Sequence, residues 1–178
     1  MKTPRLSYVL LAAALCMAAA SCSTHRTASR GRHGRQPKVD IEVFVRDHIL
    51  SDRQQLIVEE ALSWQGTPYK YGAAEKGEST DCSGFTMNVY KTALNISIPR
   101  NSAKQSEFCR AVQMKHVRAC DLVFFATGSD KSKVSHVGIV LDQESFIHAS
   151  SSKGVTVSRF DSPYWLTRIV GFGRVPGM

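Results

Sequence analysis

The first 38 residues contain no aspartate or glutamate, although they carry Lys2, Arg5, Arg26, Arg30, Arg32, Arg35 and Lys38. That absence explains most of the formal net charge of +8, because from Val39 onward the remaining 16 of 23 basic residues face all 15 acidic ones. The basic surface by which a folded domain usually holds DNA or RNA is therefore missing, and no nucleic-acid partner is expected. Long apolar runs are missing too: the one from Tyr8 to Ala20 falls short of the ~20 residues that a membrane-spanning helix needs. No segment recurs at the period of a solenoid or propeller. What is present is an ordinary mixture, 43% apolar and 21% charged, in 178 residues, which excludes wholesale disorder and fibrous repeats and favours one globular domain with extra tails.

The N-terminal order of basic residues, a short apolar run and small residues is that of a secretory signal, residues 1–21. Its end, Ala19-Ala20-Ser21-Cys22, resembles a bacterial lipoprotein cleavage box, with Ala19 where a branched residue is usual. The resemblance implies that Cys22 carries the lipid and anchors the chain to a membrane. Ser23 stands where lipoproteins kept at an inner membrane carry Asp, so the outer membrane, facing the periplasm, is the expected location. Residues 22–40 hold almost nothing apolar and read as a basic tether, leaving 41–178 as the folded domain.

Beyond Cys22 only Cys82, Cys109 and Cys120 remain, an odd number for an oxidising compartment. If two of them pair, Cys109 with Cys120 leaves Cys82 free.

Ser51 with Gln54 has the form of a capping box, and Leu56, Ile57, Ala61 and Trp64 follow at helical spacing as a first helix. Thr67 to Thr80 reads as an ordered loop. Asp81 is a good N-cap for a second helix from Cys82, with Phe85, Val89 and Ala93 on one face. A short third helix is expected after Pro99, with Ser102 and Gln105 as another capping box. The pattern then changes to strands over 122–126, 136–141, 145–149, 155–160 and 168–175. Helices first and antiparallel strands afterward describe an α+β domain.

Cys82 at a helix N-terminus meets unpaired N–H groups and the helix dipole, which favour a thiolate nucleophile. It needs an imidazole partner. His48 and His116 read as solvated surface. His136 and His148 lie on strands joined by a short loop and share a face only if paired residue numbers sum to an even value. Leu141 opposite Ser145 sets them diagonally at ~7 to 8 Å between Cβ atoms, and Val140 opposite Glu144 sets them directly across at ~5 Å. A metal site of Cys82, His136 and His148 is the competing reading, but these residues lack the short chelating spacings of structural zinc, so neither metal nor cofactor is expected.

Gly66-Thr67-Pro68-Tyr69, Asp81-Cys82-Ser83-Gly84-Phe85, Pro99-Arg100-Asn101-Ser102 with Gln105, Asp121-Leu122-Val123-Phe124-Phe125, His136-Val137-Gly138-Ile139 and Phe146-Ile147-His148-Ala149-Ser150 stand in one order. In that order they resemble the NlpC/P60 cell-wall cysteine peptidases, over roughly Gln54 to Val175. The resemblance implies a papain-like α+β fold, N-terminal helices packed on a central antiparallel sheet. It also implies a triad of nucleophile Cys82, base His136 and orienting His148, with Tyr69 near the oxyanion and Asp81, Ser83, Arg100 and Ser102 near the substrate. Two departures lie away from the triad: Gly72-Ala73 where Gly-Gly is common, and Ala119-Cys120 where Pro-Gly is usual. Asn101 replaces an Asp of members that recognise a free peptide amine, and no SH3-like domain precedes the catalytic one. The layout is therefore closer to lipid-anchored murein endopeptidases, which cut stem peptides beside meso-diaminopimelate, at the cross-link or after D-Glu. A recycling peptidase for free L-Ala-terminated peptides, a non-catalytic murein-binding lipoprotein and a lipid acyltransferase on the same fold are the alternatives. The sequence identifies no adaptor or regulatory protein.

Overall fold

The computed structural model describes residues 37–178; the expected signal peptide, the lipidation candidate Cys22 and the tether as far as residue 36 lie outside the described residues. Among the described residues no helix is long and apolar enough to cross a membrane. Val39 is already tied to the domain, donating to Gln65 Oε1 and accepting from Gln65 Nε2, both at 2.9 Å.

Asp40 then caps a helix that sequence periodicity does not reveal, α1 (Ile41–Asp47), accepting from Val43 N–H at 3.0 Å. With Phe44 as its buried residue, α1 is too short for a 3.6-residue repeat to register. The helix expected to come first is thus α2 (Asp52–Ser63), entered through Ser51 N–H donating to Gln54 Oε1 at 3.1 Å. Of its expected apolar stripe Ile57, Ala61 and Trp64 are buried and only Leu56 is not, at 47% exposed; Val58 and Leu62 are buried beside them. Two short strands, β1 (Ala74–Glu75) and β2 (Ser79–Thr80), pair inside the expected loop, and Tyr69 forms a bridge with Thr80.

Helix α3 (Cys82–Leu94) begins and runs as expected, capped by Asp81 through Gly84 N–H at 2.7 Å and ended by Asn95 in the left-handed region at φ 55°. Helix α4 (Ser102–Phe108) corrects the capping assignment. Its cap is Asn101, whose Oδ1 accepts from Ala103 and Lys104 N–H. Gln105 does not turn back to the helix start, because it is buried and bonds to Thr86 Oγ1, Pro99 O and Ser83 O. It fastens α4 to α3.

The strands are β3 (Arg110–Val112), β4 (Leu122–Phe125), β5 (His136–Val140), β6 (Ser145–Ser150), β7 (Gly154–Arg159) and β8 (Ile169–Arg174), with α5 (Pro163–Leu166) between the last two. Sequence reading missed β3 and α5, which are only three and four residues long. The strands form one antiparallel sheet in the order β3-β8-β4-β5-β6-β7. On one face Leu122, Phe124, Val137, Ile139 and Ile147 pack with Ile57, Val58, Phe85 and Val89 of the helices. On the other, Val123, Phe125, Val140 and Phe146 pack with Phe160, Trp165 and Ile169. Each such buried side chain contributes ~1.5–3 kcal/mol against ~0–1 for an exposed ion pair, so packing holds the layers together. Asp121, from the motif preceding β4, is buried and accepts from Arg174 Nε at 2.7 Å, which ties β4 to β8.

Cys82, Cys109 and Cys120 are all free and buried, so the conditional Cys109–Cys120 bridge is not formed. Cys120 adopts φ 71°, a left-handed conformation that glycine takes without cost. This gives a backbone reason for the glycine usual at that position in the family it resembles.

Candidate active site

Cys82 is the first residue of α3, buried at the helix start. Its sulfur lies against the amide N–H groups of Val137, Ser83 and Cys82 itself. The Val137 amide belongs to β5, one residue from His136, so the helix start and the strand start meet at the thiol. Cys82 Sγ forms no hydrogen bond with either imidazole among the described residues. The expected bias toward thiolate is not met. Burial pushes the thiol up to about 11, the charge of Asp81 adds to the push, and the amide donors oppose it without prevailing.

Asp81 does more than cap α3. Its two oxygens accept from Gly84 N–H, Gly72 N–H, Ser83 Oγ and both terminal nitrogens of Arg100, at 2.7 and 2.8 Å for the arginine. Burial works against its ionisation, but the bonds from Arg100, Gly84 and Gly72 outweigh it and hold the carboxyl below the ordinary range. Arg100 also donates to Ser83 Oγ and Ala73 O. Asp81, Ser83, Arg100 and Ser102 line a cavity of about 590 Å³ together with Cys82, Tyr69 and Asn101. Substrate contact is expected of them; the structure places them on the cavity wall and binds Asp81 and Arg100 to each other.

The β5–β6 register pairs Ile139 with Ile147 and Val140 with Phe146, the even sum that the diagonal arrangement requires. His136 and His148 accordingly share a face, and His136 Nε2 stands 2.8 Å from His148 Nδ1. Gly138 lies opposite His148, where a Cβ would come within 3.2 Å of the His148 Cβ. The far nitrogen, His148 Nε2, is 3.0 Å from Ser158 Oγ on β7. Trp165 stacks on His136 at 5.5 Å and meets His148 edge-on at 4.8 Å. Burial lowers His136 to about 4, and burial, helped by His136 and Lys153, lowers His148 further below its usual value. Thiol and imidazole are therefore both neutral, and no ion pair draws them together.

Tyr69 is half-buried, and its hydroxyl keeps its proton through burial and the proximity of Cys82 and Asp81. It lines both the Cys82 cavity and a second one, of about 450 Å³, beside the two imidazoles. Of the other histidines, His116 is exposed as expected. His48 is not free on the surface: its ring stacks on Phe44 at 3.8 Å, and Nε2 is 3.5 Å from Asp142. Ser158 and Trp165 were missed. Ser158 follows His148 at an even offset across a hairpin, but the Ser-rich turn between β6 and β7 carries no signal that fixes the register.

Fold and site together define a class, the papain-like α+β cysteine peptidases. The NlpC/P60 family model matches residues 66–174, and the chain belongs to that family. It is 31% identical over 180 residues to the murein DD-endopeptidase MepS/murein LD-carboxypeptidase of Escherichia coli strain K12, covering 93% of this chain and 92% of the other. It is 34% identical over 118 residues to the gamma-DL-glutamyl hydrolase of Bacillus subtilis strain 168, which spans 66% of this chain and 28% of that one. A solved NLP/P60-family structure from Staphylococcus aureus, described as similar to lipoprotein, superposes with TM-score 0.64 at 34% identity, covering 72% of this chain and 43% of that one.

Proposed function

We propose that the chain is a peptidoglycan hydrolase that cuts murein stem peptides at a bond whose amine comes from meso-diaminopimelate. Cys82 is the nucleophile, His136 the base and then the acid, and His148 the orienting residue. The observation that carries this reading is the 2.8 Å contact between His136 Nε2 and His148 Nδ1, beside the helix that begins with Cys82. With Nε2–H donating to His148, and His148 donating in turn to Ser158, the free nitrogen of His136 is Nδ1, ready to take a proton.

As Sγ bonds to the carbonyl carbon, its proton passes to His136 Nδ1. Charge on the carbonyl oxygen meets amide N–H groups at the start of α3 and the Tyr69 hydroxyl; one such donor is typically worth ~10²- to 10³-fold in rate. His136 then delivers the proton to the leaving nitrogen as the C–N bond breaks, leaving a thioester. Water, deprotonated by His136, releases the acid and restores the thiol.

Cross-link scission is the preferred bond, supported by likeness to the E. coli endopeptidase along nearly its whole length. Asn101 supports intact sacculus over recycled peptides, because its Oδ1 is taken by the α4 cap and leaves no carboxylate for a free amine. A lipid on Cys22 would hold the enzyme at the outer membrane within tether reach of the wall.

Mass spectrometry of sacculi and purified muropeptides after incubation with the full chain tests the proposal. Conversion of cross-linked dimers to monomers is expected. Products split between D-Glu and diaminopimelate would move the cut to that bond. Cleavage confined to free L-Ala-terminated peptides would restore the recycling reading, and binding without cleavage the non-catalytic one.

A further inference from the structure

The two cavities at the site differ in charge. The one beside Cys82 contains Asp81 and Arg100, which neutralise each other. The one beside His136 and His148 contains Lys153, the sole permanently charged residue among the described residues that line it. No ion pair among the described residues engages Lys153.

The backbone around Lys153 is pinned. Gly154 sits at φ +71°, and a Cβ there would lie 2.3 Å from Thr67 O. Val155 N–H donates to Thr67 O and Gly66 N–H to Val155 O, each at 2.8 Å, so the β6–β7 turn is fastened to the segment that carries Tyr69. Lys153 is near enough to His148 for its charge to oppose protonation of that ring. Ser150, Ser151 and Ser152 add hydroxyl groups to the same wall.

Chemistry assigns this cavity to one half of the substrate. After attack the acyl half stays on Cys82 Sγ, while the leaving nitrogen must lie where His136 can protonate it. The half that departs therefore occupies the cavity lined by the imidazoles. We propose that Lys153 is a specificity-determining residue that pairs with a free carboxylate on the diamino acid supplying the leaving amine. A cavity wall with one cation and several hydroxyls matches a carboxylate and disfavours its neutral amide. The assignment rests on the hydrolase reading of the site.

The test compares cross-linked stem peptides whose diaminopimelate carboxylate next to the scissile amide is free with those in which it is a carboxamide. The full chain is expected to cleave the carboxylate form about tenfold more efficiently. Lys153→Met should erase that preference through KM, Lys153→Arg should keep it, and Lys153→Glu should invert it. Calorimetric binding of the same peptides to Cys82→Ala chains, with and without Lys153→Met, reads the contact without turnover. A preference that survives Lys153→Met, in cleavage or in binding, overturns the assignment and leaves the hydrolase standing. Lys153-dependent binding of the carboxylate form with cleavage of neither peptide supports the assignment and overturns the hydrolase. If neither peptide is bound or cleaved, both are overturned.

Discussion

Cys82 and the two imidazoles are buried in different company. Around the thiol the neighbours are amide N–H groups and the Asp81–Arg100–Ser83 network, in which each polar group already has a partner. Around His136 and His148 they are rings: Phe125 at 6.0 Å and Trp165 at 5.5 Å from His136, and Phe146 at 5.1 Å from His148. Both environments keep their titratable group uncharged, one pushing the thiol up to about 11 and the other lowering His136 to about 4. On the proposed mechanism the two partners start neutral, and charge separates only as a carbonyl carbon accepts the sulfur.

The largest effect should come from abolishing one partner. Cys82→Ala is expected to cost at least about 10⁴-fold in hydrolysis with an unchanged melting temperature, because Asp81 still caps α3; His136→Ala should be nearly as severe. Full activity in Cys82→Ala would remove the nucleophile. Next comes pH. The folded imidazoles titrate below the unfolded value of ~6.5, so the unfolded chain binds more protons as the solution is acidified. Their contribution is complete above that value and is lost as pH falls below it, toward 4 for His136, with a slope of up to about 1.4 kcal/mol per unit for one proton. Urea unfolding at pH 7 and pH 5 measures it, and His148→Gln should flatten the slope. On the alkaline side the raised thiols act in the opposite sense, so stability should fall as pH climbs from ~9 toward 11.

Arg100→Met leaves the Asp81 carboxylate buried with amide and hydroxyl donors alone, and a loss of about 1–3 kcal/mol in denaturant unfolding is expected. Its guanidinium is partly exposed, which keeps the cost below that of a fully buried pair. Ser158→Ala frees the outer nitrogen of His148 and should lower kcat about tenfold with little change in KM. An unchanged kcat would remove Ser158 from the relay. Cys120→Gly is the smallest: relief of the left-handed backbone, ~1 kcal/mol, nearly offsets the lost thiol burial, so the midpoint should hardly move.

Much of the fold was legible because local signals were strong where elements were long. Asp81 announced α3, and the alternation around His136 and His148 announced the central hairpin. Less was legible where a tertiary partner overrode a local pattern. Gln105 looked like half of a capping box, but buried donors and acceptors on α3 claimed its amide. Leu56 fitted a helical stripe whose other members are buried, but its own position on α2 is left to solvent. The neutrality of Cys82 was invisible because burial is a property of the assembled layers, whereas the helix dipole can be read from the chain.

The β5–β6 loop settles the pairing of the imidazoles without touching them. Leu141 N–H donates to Ser145 O at 3.0 Å, which leaves residues 142–144 as the loop, and Asp142 closes it by accepting from Glu144 N–H, Ser145 N–H and Ser145 Oγ at 2.7 to 2.8 Å. A slip of one residue in this pairing would turn His148 toward the helices, and the rest of β6 with it. Many sequences could occupy this loop, but only a fixed length lets the two strands deliver their imidazoles to each other. For this enzyme, a one-residue insertion in the loop that shifts this pairing should silence it as thoroughly as removing the sulfur.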